Sequence, residues 1–310
     1  MANKFRFGVL VSRASSGDDM AGKARRIEEL GYSALFITDH LDDQLAPVPA
    51  LMRAADATRR LQIGTMVLNN DFRHPLVLAK ELATLDVLSG GRTVIGLGAG
   101  WQRSDYEESG IAYDSPGTRI ARMAEALTII KGHFTDGPFS FSGRYYSITD
   151  HDGTPKPMQK PHPPILVGGG GTKVLTIAAR EADIVSVNYS LPEGELNPRA
   201  ASTGSAAATH DKIALIRNAA GKRFPGLELS VTASVCVLTN DRRGTAERIA
   251  PSFGLHGGEV LASPYALIGT VEQIVDDLQQ RREEFGLSHI VFPRDHFDMM
   301  APVVNRLAGS

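Results

Sequence analysis

In 310 residues the chain has one cysteine, Cys236, and one tryptophan, Trp101. A single thiol excludes an internal disulfide framework and a thiolate metal cluster. Its setting, Ser234-Val-Cys-Val-Leu238, reads as a buried strand, so a core thiol is expected rather than a nucleophile. No two histidines stand at His-x-x-x-His spacing, so no metal site is expected. An excess of either charge is also lacking: 33 Lys and Arg against 35 Asp and Glu leave a net charge of -2. That balance argues against a nucleic-acid partner, which calls for a basic stripe. No apolar run approaches the roughly 18 residues of a membrane span. The amino terminus, Met1-Ala-Asn-Lys-Phe-Arg-Phe7, breaks its apolar character with charge and does not resemble a signal peptide. A cytoplasmic protein without membrane contact is the expectation.

What is present is an alternation of strand-like and helix-like segments. Apolar runs of strand length are expected at 5–11, 33–38, 61–68, 93–97, 165–167, 184–187, 229–238 and 289–292. Between them lie helical stripes such as Met20, Ala24 and Ile27, or Leu78, Leu82 and Leu85, or Met123, Leu127, Ile130 and Phe134. Thr270 and Gln273 have capping-box spacing, and Gly286 is placed to end the helix they begin. Eight such units predict a (β/α)8 TIM barrel, an α/β fold, in one domain over residues 1–310. Four excursions interrupt the alternation: the polar segment 102–117, a hairpin at 139–148 followed by a proline-rich connector, a loop at 191–209 expected to be mobile, and 254–268. Several of these insertions are expected to crowd the carboxyl-terminal face, where such barrels carry their chemistry.

Three strand ends carry residues suited to chemistry. Asp39-His40 follows the second strand and offers a carboxylate beside an imidazole that can hold or move a proton near neutral pH. Gly98-Ala99-Gly100-Trp101 follows the fourth. Gly168-Gly169-Gly170-Gly171-Thr172-Lys173 follows the fifth and opens a helix. Glycines admit a ligand close to the backbone, and free amides at a helix amino terminus bind anions. A phosphate is the natural occupant there, with the Thr172 hydroxyl and the Lys173 charge as support. The spacing matches neither a Walker loop nor the Gly-x-Gly-x-x-Gly dinucleotide fingerprint.

Thr38-Asp39-His40, Ile63-Gly-Thr-Met-Val-Leu68, Gly96-Leu-Gly-Ala-Gly-Trp101 and the stretch from Pro155 to Gly171 resemble the bacterial luciferase-like superfamily. Within it the chain is most similar to the branch that uses coenzyme F420, and the resemblance runs on through Phe292. It implies the same barrel, a deazaflavin or flavin ring in its mouth, and a homodimer. Asp39 matches the position at the ring's polar edge, and His40 the one facing its reactive carbon. Met66 and Val67 match a non-prolyl cis peptide behind the ring. Gly98, Ala99 and Gly100 match a loop along the cofactor, and Gly168, Gly169, Gly170, Gly171 and Thr172 the segment holding its phosphate. One departure stands out: F420 sugar-phosphate dehydrogenases carry a glutamate where this chain has Trp101. That puts sugar-phosphate oxidation in doubt and favours an apolar substrate wall.

The resemblance therefore implies an F420-dependent oxidoreductase passing a hydride between the deazaflavin C5 and an organic small molecule. His40 would be its proton donor or acceptor. The alternatives are a monooxygenase using reduced FMN and oxygen, and a non-catalytic flavin-binding protein. Phe139, Phe141, Tyr145 and Tyr146 suit a substrate pocket, the packing of the hairpin on the barrel or a subunit contact equally.

Overall fold

The computed structural model describes residues 3–191, 193–195, 197–293 and 296–310. Eight parallel strands close into a barrel: β1 (Arg6–Leu10), β2 (Ala34–Ile37), β3 (Gln62–Thr65), β4 (Thr93–Gly98), β5 (Ile165–Gly169), β6 (Ile184–Val187), β7 (Glu228–Thr232) and β8 (Leu287–Phe292). Each pairs in parallel with its neighbours in chain order, and β8 closes on β1 with Phe7 opposite Ile290. All residues of β2, β4, β6 and β8 are buried, because helices cover the outside and side chains fill the inside. The apolar stripes read from the sequence face this core: Met20, Ala24 and Ile27 on Gly17–Glu29, and Met123, Leu127, Ile130 and Phe134 on Pro116–Phe134.

The barrel interior is a small separate cluster of Ala34, Phe36, Met66, Val94, Leu166, Ile184 and Val291. Phe36 fills most of one level. A Cβ at Gly8 would lie 2.7 Å from its ring, and one at Gly64 2.9 Å away, so glycines on the flanking strands make the room it needs. His289, wholly buried on β8, packs on Phe36 with ring centroids 5.7 Å apart. Burial pushes its imidazole down to about 3, so it is neutral at ordinary pH.

Three features differ from the sequence reading, and the expected hairpin is present. The segment 191–209 contains helix Pro198–Ser202, capped by Asn197, and the start of helix Ala206–Ala220, capped by Ser205. The Gly, Pro, Ser and Ala content that suggested a loop here includes two helix starts, because each cap satisfies an amide at its helix start. The expected seventh strand is two: β7 in the barrel, and Val235–Leu238 paired with Ala266–Gly269 in a separate sheet. Within 102–117 lies a short helix, Arg103–Ser109. The hairpin pairs Phe139–Ser142 with Ser147–His151 and lies against helix Pro116–Phe134, where Glu125 accepts the backbone N–H groups of Arg144, Tyr145 and Tyr146. Thr270 and Gln273 do form a capping box, and Gly286 ends that helix at φ 74°. Cys236 is buried, and burial pushes its thiol up to about 12. No helix of the described residues is long and apolar enough to cross a membrane.

Candidate active site

A cavity of about 510 Å³ opens at the carboxyl ends of the strands. It is lined by the residues that follow β2, β3, β4, β5, β6 and β7, which brings the three singled-out strand ends together. Asp39, His40, Met66, Val67, Gly98, Ala99, Gly100, Trp101 and Gly168 to Gly171 all line it. Thr172 does not: it is exposed, one residue into the helix that Gly171 caps. The four hairpin aromatics are also absent from the lining; Phe139 packs at Gly132 of the neighbouring helix and Tyr146 meets His74 edge-on.

Asp39 and His40 are neighbours in sequence, but their side chains meet different partners. The Asp39 carboxylate accepts both Arg73 Nη1 (2.7 Å) and the Asn69 amide (3.0 Å) on Oδ2, and Arg73 Nη2 (3.2 Å) on Oδ1. It thereby fixes the end of the third strand. The carboxylate that serves the imidazole is Asp105, from the short helix that sequence reading missed. His40 Nδ1 lies 2.8 Å from Asp105 Oδ2, and Asp105 Oδ1 accepts from the Leu41 amide (3.2 Å) and Gln102 Nε2 (3.1 Å). With Nδ1 donating to a carboxylate, the neutral ring presents a free acceptor at Nε2. The Trp101 ring meets His40 edge-on at 5.5 Å between centroids, and its carbonyl accepts the Tyr113 hydroxyl (2.9 Å).

The Met66–Val67 peptide is cis. The third strand then resumes at Leu68–Asn69, which pairs with the end of β4. The Val67 side chain lies over glycines: a Cβ would stand 2.5 Å from it at Gly98 and 3.4 Å at Gly168. Gly100 has φ 72°, and a Cβ there would fall on the Tyr106 hydroxyl and 2.6 Å from Asn69 Oδ1. The glycine run divides by role. A Cβ at Gly169 would meet Val174, and one at Gly170 the Asn188 and Tyr189 carbonyls, so both are packing glycines. Gly171 has only Ser190 Oγ nearby, at 4.0 Å, and caps helix Thr172–Glu181 without a side-chain hydrogen bond. Gly171 lines the cavity, and the first amides of the ten-residue helix it opens have no side-chain cap.

A buried cation that lines the cavity was not visible in the sequence. Arg119 is 3% exposed and lines the cavity. It stacks over the Tyr113 ring at 4.2 Å, donates from Nη1 to the Asp114 carbonyl, and leaves a buried Nε without a partner. It is one of several polar positions on its helix, with Arg122 and Glu125 among the others, and spacing alone does not separate them. Arg122 instead pairs with Asp71 (2.8 Å). Uncapped amides, a partnerless guanidinium nitrogen and glycines that leave the wall bare fit the phosphate of a flavin or deazaflavin. Among the described residues, no three His, Cys, Asp or Glu side chains are grouped as a metal ion would require.

The chain is 32% identical to an F420-dependent glucose-6-phosphate dehydrogenase of Amycolatopsis mediterranei over 53% of this chain and 51% of that protein. It is 28% identical to an FMNH2-dependent dimethylsulfone monooxygenase of Pseudomonas putida over 61% of this chain and 52% of that protein. The aligned part is thus about half the length of these curated relatives. Among solved structures, the F420-dependent tetrahydromethanopterin reductase of Methanopyrus kandleri shares the fold at a TM-score of 0.76, with 19% identity and 99% of both chains covered. Residues 4–284 match the luciferase-like monooxygenase family, and the chain belongs to it.

Proposed function

We propose that the protein is an F420-dependent oxidoreductase acting on an uncharged organic substrate. The observation that carries the reading is the pairing, in one cavity, of an uncapped, glycine-walled anion site with a carboxylate-held imidazole. Gly171, the amides that follow it and Arg119 would hold the cofactor phosphate. Val67, with Gly98 and Gly168 beneath it, would back the ring. When bound, the deazaflavin supplies the hydride chemistry.

What the chain contributes is orientation and proton movement. Asp105 holds Nδ1 of His40, so Nε2 takes a proton from a substrate hydroxyl, or returns one to the oxygen of a carbonyl. Trp101 and Leu191 give that region apolar walls that exclude water. The carboxylates that line the cavity, Asp39 and Asp105, are both engaged, so neither is free to bind a cationic substrate. Trp101 supplies no acid where a sugar-phosphate oxidase would need one, which favours a ketone, an alcohol or an activated alkene.

The test is anaerobic turnover of reduced F420 against a panel of such compounds. His40→Ala should slow it about a hundredfold or more while F420 affinity stays within about threefold. A second reading, oxygen chemistry on reduced FMN, is favoured by the similarity to an FMNH2-dependent monooxygenase. Oxygen uptake with reduced FMN, and no turnover of F420 on any compound, would replace the first reading with the second.

A further inference from the structure

Lys212 sits on helix Ala206–Ala220 and is 8% exposed. Its Nζ donates to the carbonyls of Asn188 and Thr203, each at 2.7 Å, and lies 6.0 Å from the centre of the Tyr265 ring. Among the described residues it pairs with no carboxylate. A buried ammonium without an anion costs stability, and here burial pushes the amine down to about 8. Such a charge is tolerated where it has work to do.

The segment it holds points to that work. The Asn188 and Tyr189 carbonyls are the atoms that press on Gly170, and the Ser190 amide donates to Thr203 Oγ1 at 2.9 Å. One ammonium thus ties the cavity wall 188–190 to the turn at 203 and seats that wall on the glycine run. Arg119, the other buried cation at this end, stands on a different helix. Both donate to backbone carbonyls and lack a carboxylate partner among the described residues.

We propose that Lys212 is the positioning residue of the cavity's anion end, clamping the 188–190 wall against the glycine run and setting positive potential behind the amides that receive a phosphate. This rests on the phosphate-binding reading above. The amine is protonated below about 8 and loses its charge above it, so its support for an anion is present at neutral pH and lost as pH rises. The titratable groups packed around it are Tyr265 and Tyr189, whose hydroxyls burial pushes up, that of Tyr189 to about 12, so both stay neutral in this range. On its own helix Asp211 is exposed, and His210 pairs with Glu284 at the surface (2.7 Å).

The experiment titrates F420 and FMN into wild type, Lys212→Met, Lys212→Arg and Gly171→Asp at fixed ionic strength, from about pH 6.5 to about pH 9.5. Wild-type affinity should fall as pH passes about 8. Lys212→Met should bind about tenfold more weakly at the low end and lose that pH dependence. Lys212→Arg should restore the affinity and keep it to the high end, because a guanidinium stays charged. Circular dichroism and thermal melting check the fold, and should Lys212→Met not fold, the flat profile of Lys212→Arg decides. Binding that is lost in Gly171→Asp but unchanged in both Lys212 variants would overturn the proposal alone. Wild-type protein that binds neither cofactor would overturn the phosphate reading and this proposal with it.

Discussion

His40 gains its chemical direction from one contact, the 2.8 Å bond between Nδ1 and Asp105. Asp105→Asn would keep the shape of that contact but no longer enforce the tautomer, since an amide either donates or accepts. Turnover should fall about a hundredfold with cofactor affinity nearly unchanged. Equal turnover in the variant would show that Asp105 only anchors the Leu41 and Gln102 loop. This pair marks how far the sequence was readable at the residue scale. Asp39-His40 stands out at a strand end, but adjacency does not reveal which carboxylate holds the imidazole. Asp39 is consumed by Arg73 and the Asn69 amide, and the true partner lies 65 positions away in a segment with no helical periodicity. Arg119 was hidden for a similar reason: its burial depends on Tyr106 and Tyr113 closing around it.

Among the elements, the glycine run was legible as a unit but its division of labour was not. Four consecutive glycines after a strand and before a helix signal close approach, yet only the fold shows what approaches each one. Gly170→Ala puts a methyl onto the Asn188 and Tyr189 carbonyls and should cost about 1–3 kcal/mol of stability. Gly171→Ala, with φ -88° and open space, should melt like wild type. Thermal denaturation of the two variants checks this, and equal melting would mean that the 188–190 wall yields freely. The 191–209 stretch failed as a sequence reading because its helices are set by the caps Asn197 and Ser205 and by Lys212, not by a long apolar stripe.

The whole molecule was the most legible level, because eight β-α alternations leave few other architectures. Closure also has a consequence that the strand pattern does not reveal, a neutral imidazole inside the barrel. The folded-state value for His289, about 3, lies below that of an unfolded histidine, near 6.5. The unfolded chain therefore binds the extra proton first, and stability is lost as pH falls below about 6.5 toward 3. His133, pushed down to about 4 by burial and by the stacked His151, adds in the same direction. Near pH 4.5 the His289 contribution alone is on the order of 2 kcal/mol. Urea denaturation across that range should show the loss, and His289→Asn should flatten it; an unchanged slope would mean that the site is hydrated.

The central claim is that the barrel mouth holds a phosphate-bearing deazaflavin against the glycine run, and Gly171→Asp tests it most directly. Aspartate is a good helix cap and fits the open space at Gly171, so the fold should be kept, while its carboxylate occupies the amides a phosphate needs. Fluorescence titration should show wild type binding F420 more tightly than FMN, and the variant losing at least about tenfold for both. Equal binding by the two proteins would contradict the claim.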